Sequence, residues 1–158
     1  QPRSRGLGDV YKRQGCLALG GILGGWSEEH ISLLRTYGHG LGMAFQITDD
    51  VMDYREQTVT TGKPVGKDVK EGILTYPLLS IVTPENTASL TTMIEEIREG
   101  KDTKELLDYV VAEGGIDKAL ALEGMYRRQA EIALEQLPSF KGKDILETVL
   151  EKLSNRKV

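Results

Sequence analysis

The segment 28–57 constrains the fold of this chain more than any other, because it keeps a helical period from end to end. Steps of three and four residues trace one stripe through Ile31, Leu34, Gly38, Leu41, Phe45, Thr48 and Met52. A second runs through Leu33, Tyr37, Gly40, Ala44, Ile47, Val51 and Tyr54. Two apolar stripes side by side predict a helix buried over most of its girth. A third stripe differs: Arg35, His39, Gly42, Gln46, Asp49 and Asp53 fall within about 80° of one another, and Asp50 lies about 100° round from Asp49. A mostly buried helix thus turns a polar, carboxylate-bearing strip to one side. Ser27, ahead of Glu28, Glu29 and His30, is a fitting N-cap.

The rest of the chain is also helical in pattern, and the fold class expected is all-α. Residues 15–25 are small and apolar with five glycines and read as the end of a buried helix. Residues 58–72 form a polar loop. A short apolar helix follows over 74–82, with Pro77 near its first turn and Pro84 at its end. Further helices are expected over 86–99, 103–113, 115–137 and 142–155, punctuated by Gly100, Gly114, Gly115 and Pro138. Residues 1–14 stand apart. They carry Arg3, Arg5, Lys12 and Arg13 against Asp9 alone, show no helical periodicity and lack the apolar core of a signal peptide. We read them as a non-native leader, which makes 15–158 the C-terminal half of a longer domain.

Composition excludes several classes. At 158 residues the chain supports one ordinary domain, and its 39% hydrophobic content argues against disorder. No apolar run is long enough to be a transmembrane segment. A net charge of −4 speaks against a nucleic-acid partner. A single cysteine, Cys16, excludes an internal disulfide and points to a reducing, cytoplasmic setting.

Two carboxylates one turn apart in a low-dielectric setting need protons or cations. Lys63, Lys67 and Lys70 in the following loop are candidate cations. A hard divalent ion would serve as well: Mg²⁺ takes one or two carboxylates, several waters and substrate phosphate oxygens. DDxxD on a helix offers that kind of open site, and the loop lysines would meet a phosphorylated ligand. The pattern also arises by chance on exposed helices. The buried flanks and the lysine- and glycine-bearing loop favour the site.

The segment GLGMAFQITDDVMDY, followed by TGKPVGKDVKEGILTYP, resembles the trans-isoprenyl diphosphate synthases, or polyprenyl synthetases. Gly42, Phe45, Gln46, Asp49, Asp50 and Asp53 match the first part of that family's second aspartate-rich block. Gly62, Lys63, Gly66, Asp68, Gly72, Thr75 and Pro77 match the part that follows. The resemblance implies a helical bundle of the isoprenoid synthase type, present here as its C-terminal half. It implies a prenyltransferase that joins an allylic diphosphate to isopentenyl diphosphate, with Mg²⁺ gripping the departing diphosphate in a dry cavity. By the motif, Asp49 would bind one Mg²⁺, with Asp50 and Asp53 in support, directly or through water. Lys63 would contact the allylic diphosphate, and Phe45 and Gln46 would line the cavity near the reacting carbons. Homodimers are common in the family, and exposed apolar faces here would also favour self-association.

Three departures qualify this. Ile73 stands where the family has a lysine, the lysine-threonine pair expected before residue 15 is missing, and no other DDxxD-type motif occurs in the chain. The expectation is therefore a synthase half that is inactive alone. A non-catalytic partner subunit on the same scaffold, or a class I terpene cyclase, are the alternatives. Retention of Asp49, Asp50 and Asp53 argues against the former, and the spacing from FQxxDD to GK against the latter.

The other candidates have plainer readings. His39 is structural and His30 solvated. Met43, Met52, Met93 and Met125 fill the core, and Cys16 is buried and inert. Glu95, Glu96, Arg98 and Glu99 form a solvated face. The broad side of helix 115–137 bearing Ile116, Ala119, Leu120, Glu123, Tyr126, Ala130, Ala133, Leu134 and Leu137 packs against core or partner.

Overall fold

The structure is a computed structural model that describes residues 7–55 and 67–154. Among these, eight helices form and no strand: α1 (Leu7–Leu23), α2 (Glu28–Arg55), α3 (Lys67–Lys70), α4 (Tyr76–Leu79), α5 (Thr87–Arg98), α6 (Lys104–Ala112), α7 (Gly115–Gln136) and α8 (Lys143–Ser154). The chain is all-α, as its periodicity requires. Most boundaries fall where the capping and breaking residues put them. Ser27 Oγ accepts the backbone N–H of His30 at 3.3 Å and starts α2. Gly100 and Gly114 adopt φ of +110° and +73° just beyond α5 and α6, conformations that cost other residues more.

Residues 7–14, whose sequence shows no helical periodicity, depart from that pattern. They are helical and form the first turns of α1. The physical reason lies in α2. A Cβ on Gly38 would come within 2.9 Å of the Gln14 Cα, and one on Gly42 within 3.0 Å of the Val10 Cα. The two glycines share one face of α2 and let α1 approach to backbone contact, which buries Val10 although its own turn is mostly polar. The same packing leaves the opposite side of α1 bare. Leu19, Ile22 and Leu23 are exposed where a buried helix end was expected, and Cys16 is exposed rather than buried. Met125, expected in the core, is 69% exposed.

The described residues divide into two compact units, one running up to Gln46 and resuming at Leu122, the other from Ile47 to Ala121. In the first, the core gathers Leu34, Tyr37, Ala130, Ala133, Leu134, Leu137 and Leu150 from α2, α7, the residue after α7, and α8. Gly40 sits on the side of α2 away from Gly38 and Gly42, and a Cβ there would lie 2.6 Å from the Tyr126 carbonyl oxygen of α7. The buried residues of α7 follow the expected broad side. Trp26 stacks edge-on against both His30 and Phe140. In the second unit, Val51 and Tyr54 of α2 are buried, as are Val69, Leu78, Ile81, Leu90, Ile97, Leu106, Leu107 and Val110. The α3 turn packs against α5, and α5 against α6.

Candidate functional site

The carboxylate turn closes α2 inside the second unit. Asp49 is exposed, Asp50 and Asp53 are half-buried, and Val51 and Tyr54 between and after them are buried. The period of the helix produces this division: the apolar stripe through Ile47, Val51 and Tyr54 faces the core and leaves Asp49 outermost. Asp50 Oδ2 accepts the backbone N–H of Tyr76 at 3.3 Å, at the start of α4. Asp53 Oδ2 is shielded from solvent.

One turn beyond Asp50, the Tyr54 hydroxyl lies 2.8 Å from Thr75 Oγ1 in a buried hydrogen bond. Burial pushes the Tyr54 phenol up to about 12. The hydrogen bond to Thr75 opposes that shift, and the negative charges of Asp53, Asp50 and Asp68 add to it. Thr75, singled out for its spacing behind the aspartates, and Tyr76 beside it are therefore the residues bonded to this end of α2. Gly72, also in that motif, has φ +79°, and a Cβ there would lie 2.9 Å from a terminal nitrogen of Arg98. Arg98, expected only on a solvated face, thus reaches over the turn after α3. Ile73, in place of the lysine, is half-buried.

Of the other residues singled out, Phe45 and Gln46 lie on α2 within the first unit and are half-buried. The Arg13 guanidinium sits 4.2 Å above the Phe45 ring, a cation–π contact. Phe45 also lines a cavity of about 280 Å³ with Arg13, Leu41, Val149, Lys152 and Leu153. Lys63 lies outside the described residues, and Lys70 is exposed on α3. His39 meets the edge of Tyr126, in keeping with a structural role. Arg127 is engaged along α7 by Glu131 at 2.8 Å and Glu123 at 3.5 Å, and Arg128 by Glu131 at 3.2 Å. Burial raises the Glu123 carboxyl despite the opposing Arg127 charge.

Among the described residues, no three His, Cys, Asp or Glu side chains converge to hold a metal ion. A closed protein cage is therefore a poor description of Asp49, Asp50 and Asp53. The donor set fits a Mg²⁺ held openly: hard carboxylate oxygens, the outermost of them exposed, where water and ligand oxygens would complete the shell. Sequence reasoning found the carboxylates but missed Tyr54, which it placed only in an apolar stripe. The signal available was a phenol within that stripe, since a buried tyrosine hydroxyl needs a partner.

The chain is similar to known proteins in sequence and in fold. The family model described as Polyprenyl synthetase matches residues 11–113. The chain is 35% identical over 129 residues to the octaprenyl diphosphate synthase of Haemophilus influenzae, covering 79% of this chain and 39% of that protein. It is 51% identical over 61 residues to geranylgeranyl pyrophosphate synthase 11, chloroplastic, of Arabidopsis thaliana, covering 39% of this chain and 17% of that protein. Among solved structures, a geranylgeranyl pyrophosphate synthase from Bacteroides thetaiotaomicron superposes with a TM-score of 0.77 at 28% identity, over 94% of this chain and 50% of that one. The chain thus spans half or less of the length of each of these proteins.

Proposed function

The chain belongs to the polyprenyl synthetase family, and on that premise we propose that it carries the diphosphate-gripping part of a prenyltransferase that condenses an allylic diphosphate with isopentenyl diphosphate. One observation carries the reading. The carboxylate turn of α2 is tied to Thr75 and Tyr76 by a buried and a half-buried hydrogen bond, and it leaves Asp49 outermost. Asp49 holds Mg²⁺ directly, with Asp50 and Asp53 in support, directly or through water. Lys63 meets the allylic diphosphate. Phe45 and Gln46 line the cavity near the reacting carbons and keep water from them. Bound Mg²⁺ supplies charge stabilisation on the departing diphosphate. The chain carries a single DDxxD cluster, and the condensation needs two facing ones, so this chain alone binds but does not turn over. The natural assembly is a cytoplasmic homodimer. Among the described residues no helix is long and apolar enough to cross a membrane.

A non-catalytic partner subunit is a second reading, favoured by Ile73, which removes a cation from the diphosphate side.

Calorimetric titration of the chain with inorganic pyrophosphate, with and without Mg²⁺, tests the proposal. Binding is expected to require the metal and to weaken at least about tenfold, roughly 1.4 kcal/mol, in Asp49→Asn. Pyrophosphate affinity indifferent to Mg²⁺ would sink the proposal. Elongated product from the chain alone, with geranyl diphosphate and isopentenyl diphosphate, would overturn its stated inactivity.

A further inference from the structure

Thr75 precedes α4 in an extended conformation, with φ −90° and ψ 162°, the place where a threonine ordinarily caps a helix with its own hydroxyl. It makes no such cap. Its hydroxyl is joined to that of Tyr54 instead, and both side chains are only 4% exposed. The N–H of Tyr76, one of the first-turn donors of α4 that have no partner within the helix, is taken by Asp50 from α2. Asp50 and Tyr54 are four residues apart, so they lie on one face of α2 about one turn, or ~5.4 Å, from each other. Their partners are adjacent residues. Two bonds a turn apart fix both the rotation and the axial position of a helix end, which either bond alone leaves free. On its other side α4 has no slack: a Cβ on Gly115 would lie 2.5 Å from the Pro77 carbonyl oxygen and 2.8 Å from a Val110 methyl.

We propose that Tyr54 and Thr75, together with Asp50, are positioning residues that set the rotation of the carboxylate turn of α2 and so aim the Asp49 carboxylate at the cation. This rests on reading that turn as the cation-binding one. Asp50 thereby has a task besides its support of the metal, and Tyr54 acts through Asp49 without touching ligand.

The test uses the whole chain with Mg²⁺ and inorganic pyrophosphate as the probe. Tyr54→Phe and Thr75→Val each keep shape and remove one hydroxyl. Each is expected to weaken Mg²⁺-dependent pyrophosphate binding about five- to tenfold, the double variant to be no worse than either single one, and Thr75→Ser to restore the wild-type affinity. Asp50→Asn, which keeps a carbonyl acceptor for Tyr76, is expected to lose less affinity than Asp50→Ala. Hydrogen exchange at the Tyr76 amide, followed without ligand, is expected to speed up in Tyr54→Phe and Asp50→Ala while thermal unfolding stays cooperative. Wild-type affinity in both Tyr54→Phe and Thr75→Val overturns this inference and leaves the proposed function standing. A wild-type chain that binds no Mg²⁺–pyrophosphate overturns the proposed function and this role together, before any variant is made.

Discussion

Tyr37 has no exposed surface, and its hydroxyl donates to the Leu146 carbonyl at 2.8 Å. Burial pushes its phenol from the usual 10 up to about 12. The folded state therefore holds this proton more tightly than the unfolded chain does. The stability it contributes is complete below pH 10 and is lost as pH rises towards 12. Chemical unfolding between pH 9 and about 12 is expected to show that decline, and Tyr37→Phe to lessen it, leaving the part that Tyr54 contributes. At neutral pH the same variant costs about 1 kcal/mol, because the Leu146 carbonyl loses its donor. An equal alkaline decline in both proteins would show that Tyr37 is not its source. The apolar stripe that places Tyr37 inside is legible in the sequence. Its partner is not, since Leu146 lies 109 residues away. The same holds for the aspartates. Their spacing identifies a set of three, but the bond that Asp50 makes comes from the Tyr76 amide, which no local pattern connects to α2. Cys16 and Met125 went astray for a plainer reason: residue type gives an average tendency to be buried, and only packing decides the instance.

At the scale of elements, α2 is flanked by α1 and α7 at glycines. Gly40→Ala places a methyl 2.6 Å from a backbone carbonyl oxygen, where no side chain can swing aside. A loss of about 1–3 kcal/mol is expected in denaturant unfolding. Gly20 in α1 is the control, because nothing lies within 4 Å of its would-be Cβ. Gly20→Ala is expected to leave stability unchanged or raise it by about 0.5–1 kcal/mol, from helix propensity alone. If both variants behave alike, close approach is not what the α2 glycine serves. Helix ends were readable because prolines, glycines and Ser27 act locally. The first turns of α1 were not, because their helical state depends on a partner surface that Gly38 and Gly42 open in a different element.

At the scale of the whole molecule, the chain spans 50% of the solved synthase it superposes on, and its all-α fold follows that of the family. The homodimer expected of it is open to a direct check: sedimentation at micromolar concentration should give a species near twice the 17.5 kDa of one chain, and a monomer would remove that part of the reading. The glycine contacts of α2 reach beyond stability. Gly38, Gly40 and Gly42 each weaken α2 as an isolated helix by about 1 kcal/mol relative to alanine. Its helical state is thus borrowed from α1 just before it in sequence and from α7 far downstream. The contact that brings Tyr126 and Ala130 onto Gly40 joins residues far apart in the sequence, a long-range pairing of the kind that slows folding.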